Sequence, residues 1–576
     1  MIYNDLLGMR LWRRSLCSGR STALVVVILM STFIIFDFYT HQLFSNWSNS
    51  LSFDFLIGAN KDVSLISSSE QISSESKSIL QTGEKIVVTN HEIQSQLEVH
   101  EEAHELQDQL EAEIATSERG LDVIPQMKEK PNNKDHLPRL PADCGYLPEQ
   151  QEGGRNGSDL TDLKHEGEGY LSPITAANTS IPELTNVQRV ELDLLRARAA
   201  FRRVALSLMN NGDRVEEICD STVNQPQGQA YKNACLFQRS YQEMENRFKI
   251  YIYEEGEEPL VHDGPCKEIY AIEGRFIQEL HDNNPYVTSN PEEAHVYFLP
   301  FSVANMVTYL YKRDSGDMSP LLRFVQDYTE VVARKYPHWN RSEGADHFML
   351  SCHDWGPHVS RVDKNLFSKT IRVLCNANTS EGFVPFKDVS LPEVHLVGGE
   401  VPTDLGGLPV SKRTFLAFFA GAEHGPVRPQ LFKYWERKDS DIVVRHRLPA
   451  RGITYHEYMK NSKFCICPGG YEVNSPRLVE AIYNDCIPVI IADRFVLPFS
   501  DVLDWTAFSL QVLEEDIPKL KELLEAVPME TLVRMQDRVK EIRKHFLLNQ
   551  PPERYDLFHM ILHSVWMRRL NIRILE

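Results

Sequence analysis

The sequence predicts an α/β fold with two parallel sheets, on the strength of three observations. Past residue 235, short apolar runs alternate with stretches of helical periodicity. The runs are continuously apolar, which is typical of strands buried on both faces, as in parallel sheets covered by helices. The segment PTDLGGLPV, at about 400–410, separates two series of such runs. Two Rossmann-like halves facing a cleft are therefore expected.

Seven of these runs are interpreted as strands. They are FKIYIYE at 248–254, HVYFLP at 295–300, HFMLSC at 347–352, TFLAFFAG at 414–421, DIVV at 441–444, KFCICP at 463–468 and IPVIIAD at 487–493. The chain has 61 Lys and Arg against 81 Asp and Glu, a formal charge of −20. Since nucleic-acid binding needs clustered cations, nucleic acid is not expected as a partner.

The N-terminal region predicts a membrane anchor. The chain is apolar and uncharged from Thr22 to Phe36, and four arginines precede this run. This asymmetry predicts a cytoplasmic tail at 1–21 and a signal-anchor helix at 22–39. A cleaved signal peptide is the alternative, because the run is shorter than the roughly 20 residues of a standard span. No small-residue cleavage site follows it.

Residues 40–184 are rich in Ser, Glu and Gln and predict a largely disordered stem on the lumenal side. A leucine stripe near residues 97–114 leaves a short stem-pairing helix open as an alternative. Nine cysteines follow the apolar run, and an odd number leaves at least one free thiol. The N-x-S/T sites also follow it, as a glycosylating compartment requires: Asn46, Asn156, Asn178, Asn340 and Asn378.

A helical lead-in is predicted over 185–235. Its first part has apolar residues every three to four positions, from Val187 to Leu208, and Asn211-Gly212 ends the pattern.

The most informative segment is residues 463–493, which predict a strand, a glycine turn, a helix and a second strand. Gly469 and Gly470 are expected to allow a tight turn at the carboxyl end of the strand, where open α/β sheets bind ligands. Ser475 is expected to cap the helix that follows, and Arg477 adds a cation there. A diphosphate leaving group needs such an environment, because negative charge develops on it.

Glu480 lies one turn further along the same helix. Its carboxylate can accept two hydrogen bonds from the vicinal hydroxyls of a ribose. The alternative is a helix-surface acid paired with Arg477.

The catalytic region resembles the exostosin family, glycosyltransferase family 47. The matching strings are CPGGYEVNSPRLVEAIYNDCIPVI, RFVLPFSDVLDW and FFAGAEHGPVRPQL, while NPEEAHVYFLPF and SCHDWGPH resemble plant members. The likeness extends from about Phe248 to about Leu548. It implies a GT-B fold with an acceptor-side domain at 236–400, a nucleotide-sugar domain at 401–550 and a C-terminal helix at 551–576.

The same resemblance implies a type II protein of the Golgi membrane. Its partners would be a UDP-sugar donor and a polysaccharide acceptor, in plants a pectin or hemicellulose, and it could form oligomers with itself or with other transferases. Arg428, in the string GAEHGPVR, matches an arginine that the family places near the donor diphosphate. Arg477 and Glu480 match its SPRxxE-like element. A surface salt bridge is the alternative role for Arg428.

Direct displacement with inversion, which the resemblance also implies, benefits from a base that removes the acceptor's hydroxyl proton. His353 and Asp354 follow a predicted strand and are candidates for this base, and Glu273 is another. Alternatively, the His-Asp turn and a Cys352–Cys375 disulfide simply hold a loop.

No metal is expected to be required. Asp439-Ser440-Asp441 spells the D-x-D pattern of manganese-dependent transferases, but the fold usually manages phosphate charge with arginines and helix ends. Cys465, Cys467 and Cys486 offer three zinc ligands at best, so packing or a disulfide is favoured.

An active transferase is the favoured function. An inactive lumenal scaffold for other transferases is the alternative, and a glycoside hydrolase is disfavoured because no convincing pair of catalytic carboxylates is visible.

Overall fold

The computed structural model describes residues 184–210, 226–281 and 284–574. These residues all belong to the larger of the two compact units of the chain. The predicted tail, signal anchor and stem lie outside the described residues, as do Asn46, Asn156 and Asn178. Within the described ranges, no helix combines the length and apolar character that crossing a bilayer requires.

The first sheet is parallel, and its five strands lie side by side in chain order. They are β1 (Ile250–Ile252), β2 (Val296–Leu299), β3 (His347–Ser351), β4 (Ile371–Leu374) and β5 (Val389–Ser390). Strands β2, β3 and β4 are buried along their whole length, as expected of a sheet covered by helices on both faces.

The second sheet is also parallel, but its strand order is β10-β9-β8-β6-β7. Its strands are β6 (Phe415–Ala420), β7 (Ile442–Arg445), β8 (Ser462–Pro468), β9 (Ile487–Ile491) and β10 (Leu510–Gln511). The chain passes from β6 to β7 in one direction and then returns to the other side of β6. The strand order therefore reverses between β6 and β8, and open α/β sheets bind ligands at such a reversal.

Helices cover both sheets. Those associated with the first half are α1 (Asn186–Asn210), α2 (Ala234–Arg247), α3 (Ala271–His281), α4 (Val303–Leu310), α5 (Ser319–Lys335), α6 (Pro337–Ser342), α7 (Gly356–Val359) and α8 (Lys364–Ser368). The others are α9 (Val427–Trp435), α10 (Tyr455–Asn461), α11 (Arg477–Tyr483), α12 (Leu520–Glu525), α13 (Met529–Ile542) and α14 (Leu557–Leu570).

Helix α1 forms the first part of the predicted lead-in. It buries Leu194 and Phe201 in the core, at the apolar positions of its 3.6-residue period. Its Arg198 donates to the backbone oxygens of Leu570 and Ile572, at 2.6 and 2.8 Å. The end of α14 therefore lies against α1.

Helix α14 follows the second sheet in sequence but contacts the first. Its Arg568 Nε donates to the backbone oxygen of Asp388, beside β5, at 3.0 Å. Its Arg569 Nε donates to the backbone oxygen of His295, just before β2, at 2.7 Å. The C-terminal helix thus ties the end of the chain to the first sheet.

The seven predicted strands all form, whereas β4, β5 and β10 were not predicted. Strand β4 was missed because Arg372 interrupts its apolar run. This guanidinium is fully buried and binds Asp388 with two nitrogens, one of them at 3.1 Å. A charge in the middle of a buried strand is thus compensated by a partner 16 residues away.

The buried Arg372–Asp388 pair gives a stability prediction. Asp388→Asn leaves the guanidinium buried without its counter-charge, so we expect a loss of about 3–5 kcal/mol in the free energy of unfolding. Urea unfolding measures this loss. Glu530→Gln, which breaks the exposed pair with Arg534, is the control and should cost less than about 1 kcal/mol. Equal effects of the two substitutions would show that the buried pair has no special weight.

Two disulfides fix the strand ends. The Cys352–Cys375 bond, which belonged to the alternative interpretation of the His-Asp loop, is present and joins the residues that follow β3 and β4. Cys465 in β8 is bonded to Cys486 before β9, which leaves Cys467 as a buried free thiol. Because two of these three sulfurs form a disulfide, they do not make a zinc site. A disulfide is one of the two roles that the sequence favoured for these cysteines.

Candidate active site

The site lies where the second sheet reverses its strand order. Arg428 follows β6, and Gly469, Gly470, Ser475 and Arg477 follow β8, which is the strand next to β6. Because both strands are parallel, their carboxyl ends open at the same edge, so these residues converge.

Two arginines meet over one aromatic ring. The guanidinium carbons of Arg477 and Arg428 lie 4.6 and 5.9 Å from the centroid of Phe419 in β6, and each side chain is only 9% exposed. Burial, followed by the neighbouring charge of Arg477, lowers the pKa of Arg428 to about 10. Two cations are thus held together in a partly desolvated position.

The hydrogen bonds of both guanidinium groups go to neutral oxygens. Arg477 donates to the Ala420 carbonyl at 3.0 Å and to the Ser475 hydroxyl at 3.3 Å, and Arg428 donates to the Ala422 carbonyl at 3.2 Å. Within the described part of the chain, the buried Nε atom of each has no hydrogen-bond partner. Such a pair is suited to an anionic ligand.

The two glycines after β8 begin the loop between β8 and α11, where we expected a tight turn. Neither Gly469 nor Gly470 has a positive φ. A Cβ on Gly470 would lie 3.0 Å from a guanidinium nitrogen of Arg428, so this glycine is needed for close approach. A Cβ on Gly469 would meet only ordinary contacts at 3.7 Å.

Ser475 precedes helix α11, which begins at Arg477. Pro476 between them has a helical φ of −60° and ψ of −20° and no side-chain cap hydrogen bond. The Ser475 hydroxyl accepts a hydrogen bond from the Arg477 backbone nitrogen at 3.4 Å, as expected of a capping serine, and a second from the Arg477 guanidinium at 3.3 Å. Ser475 therefore orients the arginine.

Glu480 is half-buried on α11. Its Oε2 accepts a hydrogen bond from the Tyr455 hydroxyl at 2.8 Å. Tyr455 lies at the start of α10, and its ring contacts Phe418 of β6. Glu480 is therefore held by a neutral phenol in the same group of elements as the arginines.

Glu273 does not reach the cleft. Its carboxylate is fully buried, and both oxygens accept hydrogen bonds. One oxygen binds the backbone nitrogens of Cys352 and His353, at 2.8 and 2.9 Å, and the other binds Ser302 and Ala304. This carboxylate holds the loop after β3, and a role as base does not fit its position.

His353 is a neutral imidazole whose Nε2–H can donate a hydrogen bond. Its Nδ1 accepts from the backbone nitrogen of Trp355 at 3.1 Å, so the neutral ring carries its proton on Nε2. Burial lowers its pKa to about 4, and the ring is 8% exposed and packs on Tyr270 at 4.6 Å. A hydrogen-bond donor fits this geometry better than the base that we expected.

Asp354 is half-buried beside the second half of the chain. Burial raises its pKa, while a hydrogen bond from the Tyr270 hydroxyl, at 3.4 Å, opposes the shift. Its backbone oxygen accepts from the Asn376 amide at 3.1 Å. The same amide donates to Glu472, in the loop after β8, at 2.8 Å. Asp354 therefore lies where the two halves meet.

Glu393 was missed from the sequence. It follows the unpredicted strand β5, is 7% exposed, and accepts from the Asn474 amide at 2.7 Å. Burial, followed by the charge of Asp354, raises its pKa to about 8. A carboxyl that titrates near neutral pH has the property of a general base.

Glu472 is a second carboxyl of this kind. Burial, followed by the charge of Glu381, raises its pKa to about 8. It lies inside the string CPGGYEVNSPR, so a search of that motif for further acids could have found it.

The raised pKa of Glu393 predicts a pH dependence of stability. Between pH 4.5 and about 8 the folded protein holds a proton on this carboxyl that the unfolded chain releases. The stabilisation is fully present below pH 4.5 and is lost as the pH rises through 8. Urea unfolding of Glu393→Gln should therefore show a shallower decline from pH 5 to 8 than the wild type. An unchanged decline would contradict the raised pKa.

The D-x-D pattern is engaged by a lysine. Lys521 Nζ lies 2.7 Å from Asp439 and 3.1 Å from Asp441, and the other Asp439 oxygen accepts from the backbone of Asp441 and Ile442. Across the described ranges, no group of three or more His, Cys, Asp or Glu side chains is arranged to hold a metal ion.

Two of the predicted glycosylation sites lie in the described chain. Asn340 is exposed in α6, and its amide donates to the Ala333 carbonyl at 2.7 Å. Asn378 is half-buried, and its amide donates to Glu381 at 3.0 Å. Asn340 is thus the more accessible of the two, and modification of either stays a prediction.

Comparison with known proteins agrees with this geometry. The profile described as the exostosin GT47 domain matches residues 244–527. A protein of Arabidopsis thaliana named "Probable glycosyltransferase" is 52% identical over 68% of this chain and 74% of its own length.

More distant relatives carry more specific names. A "Probable glucuronosyltransferase" of Oryza sativa subsp. japonica is 30% identical over 55% of this chain and 81% of its own length. A "Probable beta-1,4-xylosyltransferase" of Arabidopsis thaliana is 28% identical over 55% and 82%. With two parallel sheets and a pair of buried arginines at the reversal of the second, this chain belongs to the exostosin GT47 family of glycosyltransferases.

Proposed function

We propose that this protein is a Golgi type II membrane glycosyltransferase of the GT-B fold, which transfers a sugar from a UDP-sugar to a plant cell-wall polysaccharide with inversion. The acceptor would be a pectin or a hemicellulose. Relatives named for glucuronosyl and xylosyl transfer support a sugar-transfer reaction. The membrane location rests on the apolar run from Thr22 to Phe36 and the arginines before it.

The observation that carries the proposal is the pair of buried arginines at the reversal of the second sheet. As the glycosidic bond of the donor breaks, negative charge develops on the leaving diphosphate. Arg428 and Arg477 offer two cations, and each retains an unpartnered Nε among the described residues. Preorganised donors in a partly buried site stabilise such charge more strongly than water does. Glu480 would bind the ribose hydroxyls beside them.

Glu393 is our candidate for the base. The charges of Asp354 in the first half and of Glu480 and Arg428 in the second half all shift the pKa of Glu393. Its carboxyl therefore lies between the two halves. As a base it would accept the proton of the acceptor hydroxyl while that oxygen attacks the donor's anomeric carbon. The bond from this carbon to the diphosphate then breaks. Burial raises the pKa of Glu393 most, and the negative charge of Asp354 adds to it.

The arginines, rather than a bound metal, would neutralise the diphosphate in this proposal. The support is that the D-x-D carboxylates are engaged by Lys521. UDP, the product, would leave once the acceptor is glycosylated.

A donor panel tests the function. The full-length chain, purified in mild detergent, is incubated with UDP-glucuronic acid, UDP-galacturonic acid, UDP-xylose, UDP-galactose and UDP-arabinose, with and without EDTA. Pectic, xyloglucan and xylan oligosaccharides serve as acceptors. Transfer from one donor is the expected result. An absence of turnover and of UDP binding for every donor would favour the scaffold function instead.

A further inference from the structure

Tyr471 is the most exposed large hydrophobic side chain in the described ranges, at 77% exposed. It follows Gly470 in the loop after β8. Its ring stacks on the ring of His424, in the loop after β6, with centroids 4.9 Å apart and 20° between the planes. His424 covers only one face of the phenol. An aromatic face is therefore presented to solvent beside the candidate active site.

The two loops that carry these rings are fixed by backbone contacts. Gly425 has a φ of +66°, and a Cβ there would lie 1.6 Å from the Gly470 oxygen. The backbone nitrogen of Gly470 donates to the backbone oxygen of Glu472 at 2.8 Å. The backbone nitrogen of His424 donates to the backbone oxygen of Ala422 at 3.0 Å. These backbone contacts hold both loops in place, and Tyr471 is exposed as a result.

The residues on either side of Tyr471 contact different parts of the candidate active site. On one side, the Gly470 backbone packs against the guanidinium of Arg428. On the other, Glu472 accepts a hydrogen bond from Asn376, which also donates to the Asp354 backbone. Tyr471 thus lies between the proposed diphosphate site and the edge of the first sheet that carries the proposed base.

We propose that Tyr471 and His424 form a binding subsite for a sugar ring of the acceptor chain. This inference rests on the proposed transferase function and adds the place at which the acceptor binds. A pyranose has an apolar face of C–H bonds, which pack against the electron-rich face of an aromatic ring. The phenol hydroxyl can remain in water while the ring face is covered.

Binding measurements test the subsite apart from catalysis. Oligosaccharides of pectin, xyloglucan and xylan are titrated into the full-length protein without donor, and UDP is titrated separately. Tyr471→Ala should weaken the binding of the preferred oligosaccharide by about three- to ten-fold. The affinity for UDP should stay the same, and Tyr471→Phe should match the wild type.

The control is Tyr434→Ala, which removes another exposed aromatic ring, on α9, and should have no effect. Unchanged oligosaccharide binding in Tyr471→Ala would overturn the subsite. So would an equal loss of UDP affinity, because it would show that the ring stacks on the donor base. If the wild type binds oligosaccharides through Tyr471 but turns over no donor, the transferase function fails and the subsite stands. If the wild type transfers sugar but Tyr471→Ala keeps full affinity for the acceptor, the transferase function stands and the subsite fails.

Discussion

Arg477→Lys is expected to lower turnover by about 10²–10³-fold, the usual cost of losing one preorganised donor to a developing negative charge. The arginine donates to the Ala420 carbonyl and the Ser475 hydroxyl with two nitrogens while its Nε stays unpartnered in the described chain. Lysine keeps the charge but offers its donors at one point, so it cannot hold both oxygens and face a diphosphate. Initial rates at saturating acceptor measure the loss.

Arg428→Lys should act in the same direction, because its guanidinium shares the Phe419 ring with Arg477. Arg534→Lys on α13 is the matched control, since that arginine is exposed and paired with Glu530. Thermal unfolding should remain cooperative in all three variants, which shows that a loss of turnover is not a loss of fold. Full activity in both site variants would show that the anion site is misplaced.

Glu393→Gln is expected to lower turnover by about 10²–10⁴-fold, the range for removal of a general base. Glutamine is close in size and can still accept from Asn474, so the fold should tolerate the change. A base acts when it is deprotonated. With a pKa of about 8, Glu393 should make the wild-type rate increase as the pH rises towards 8, and this increase should vanish in the variant.

Glu472→Gln is the control for this assignment, because the pKa of Glu472 is also raised to about 8. It should retain the pH-dependent increase if Glu393 is the base. Asp354→Asn should lower the pKa of Glu393 and move the increase to lower pH, since a negative neighbour is removed. An increase that survives in Glu393→Gln but disappears in Asp354→Asn would assign the base to Asp354.

The sequence predicted the two parallel sheets because their longer strands are continuously apolar. It missed β4 because the charge of Arg372 is compensated by Asp388, a residue that no local pattern connects to it. It missed β5 and β10 because each has only two residues, too few for a period to be visible.

The donor side of the site could be predicted because its residues lie in one continuous strand–loop–helix segment. Arg477 and Glu480 follow β8 directly, and their spacing places them on one short helix. Ser475 binds the Arg477 backbone nitrogen at the start of this helix, as the Ser-Pro pattern suggests.

The base could not be predicted in the same way, because its surroundings come from distant segments. Glu273 had a suitable residue type, but five hydrogen-bond donors from two loops consume its oxygens. The raised pKa of Glu393 depends on burial and on Asp354, 39 positions earlier in the chain. Only the folded arrangement brings these two carboxyls together.

UDP affinity shows directly whether Arg428 and Arg477 form an anion site. Isothermal titration of UDP into the full-length chain in mild detergent should show binding that weakens at least about ten-fold in Arg428→Lys and in Arg477→Lys, the effect of losing one charged hydrogen bond. Glu393→Gln and Tyr471→Ala should bind UDP as the wild type does. Equal UDP affinity in the wild type and both arginine variants would show that Arg428 and Arg477 do not bind the diphosphate.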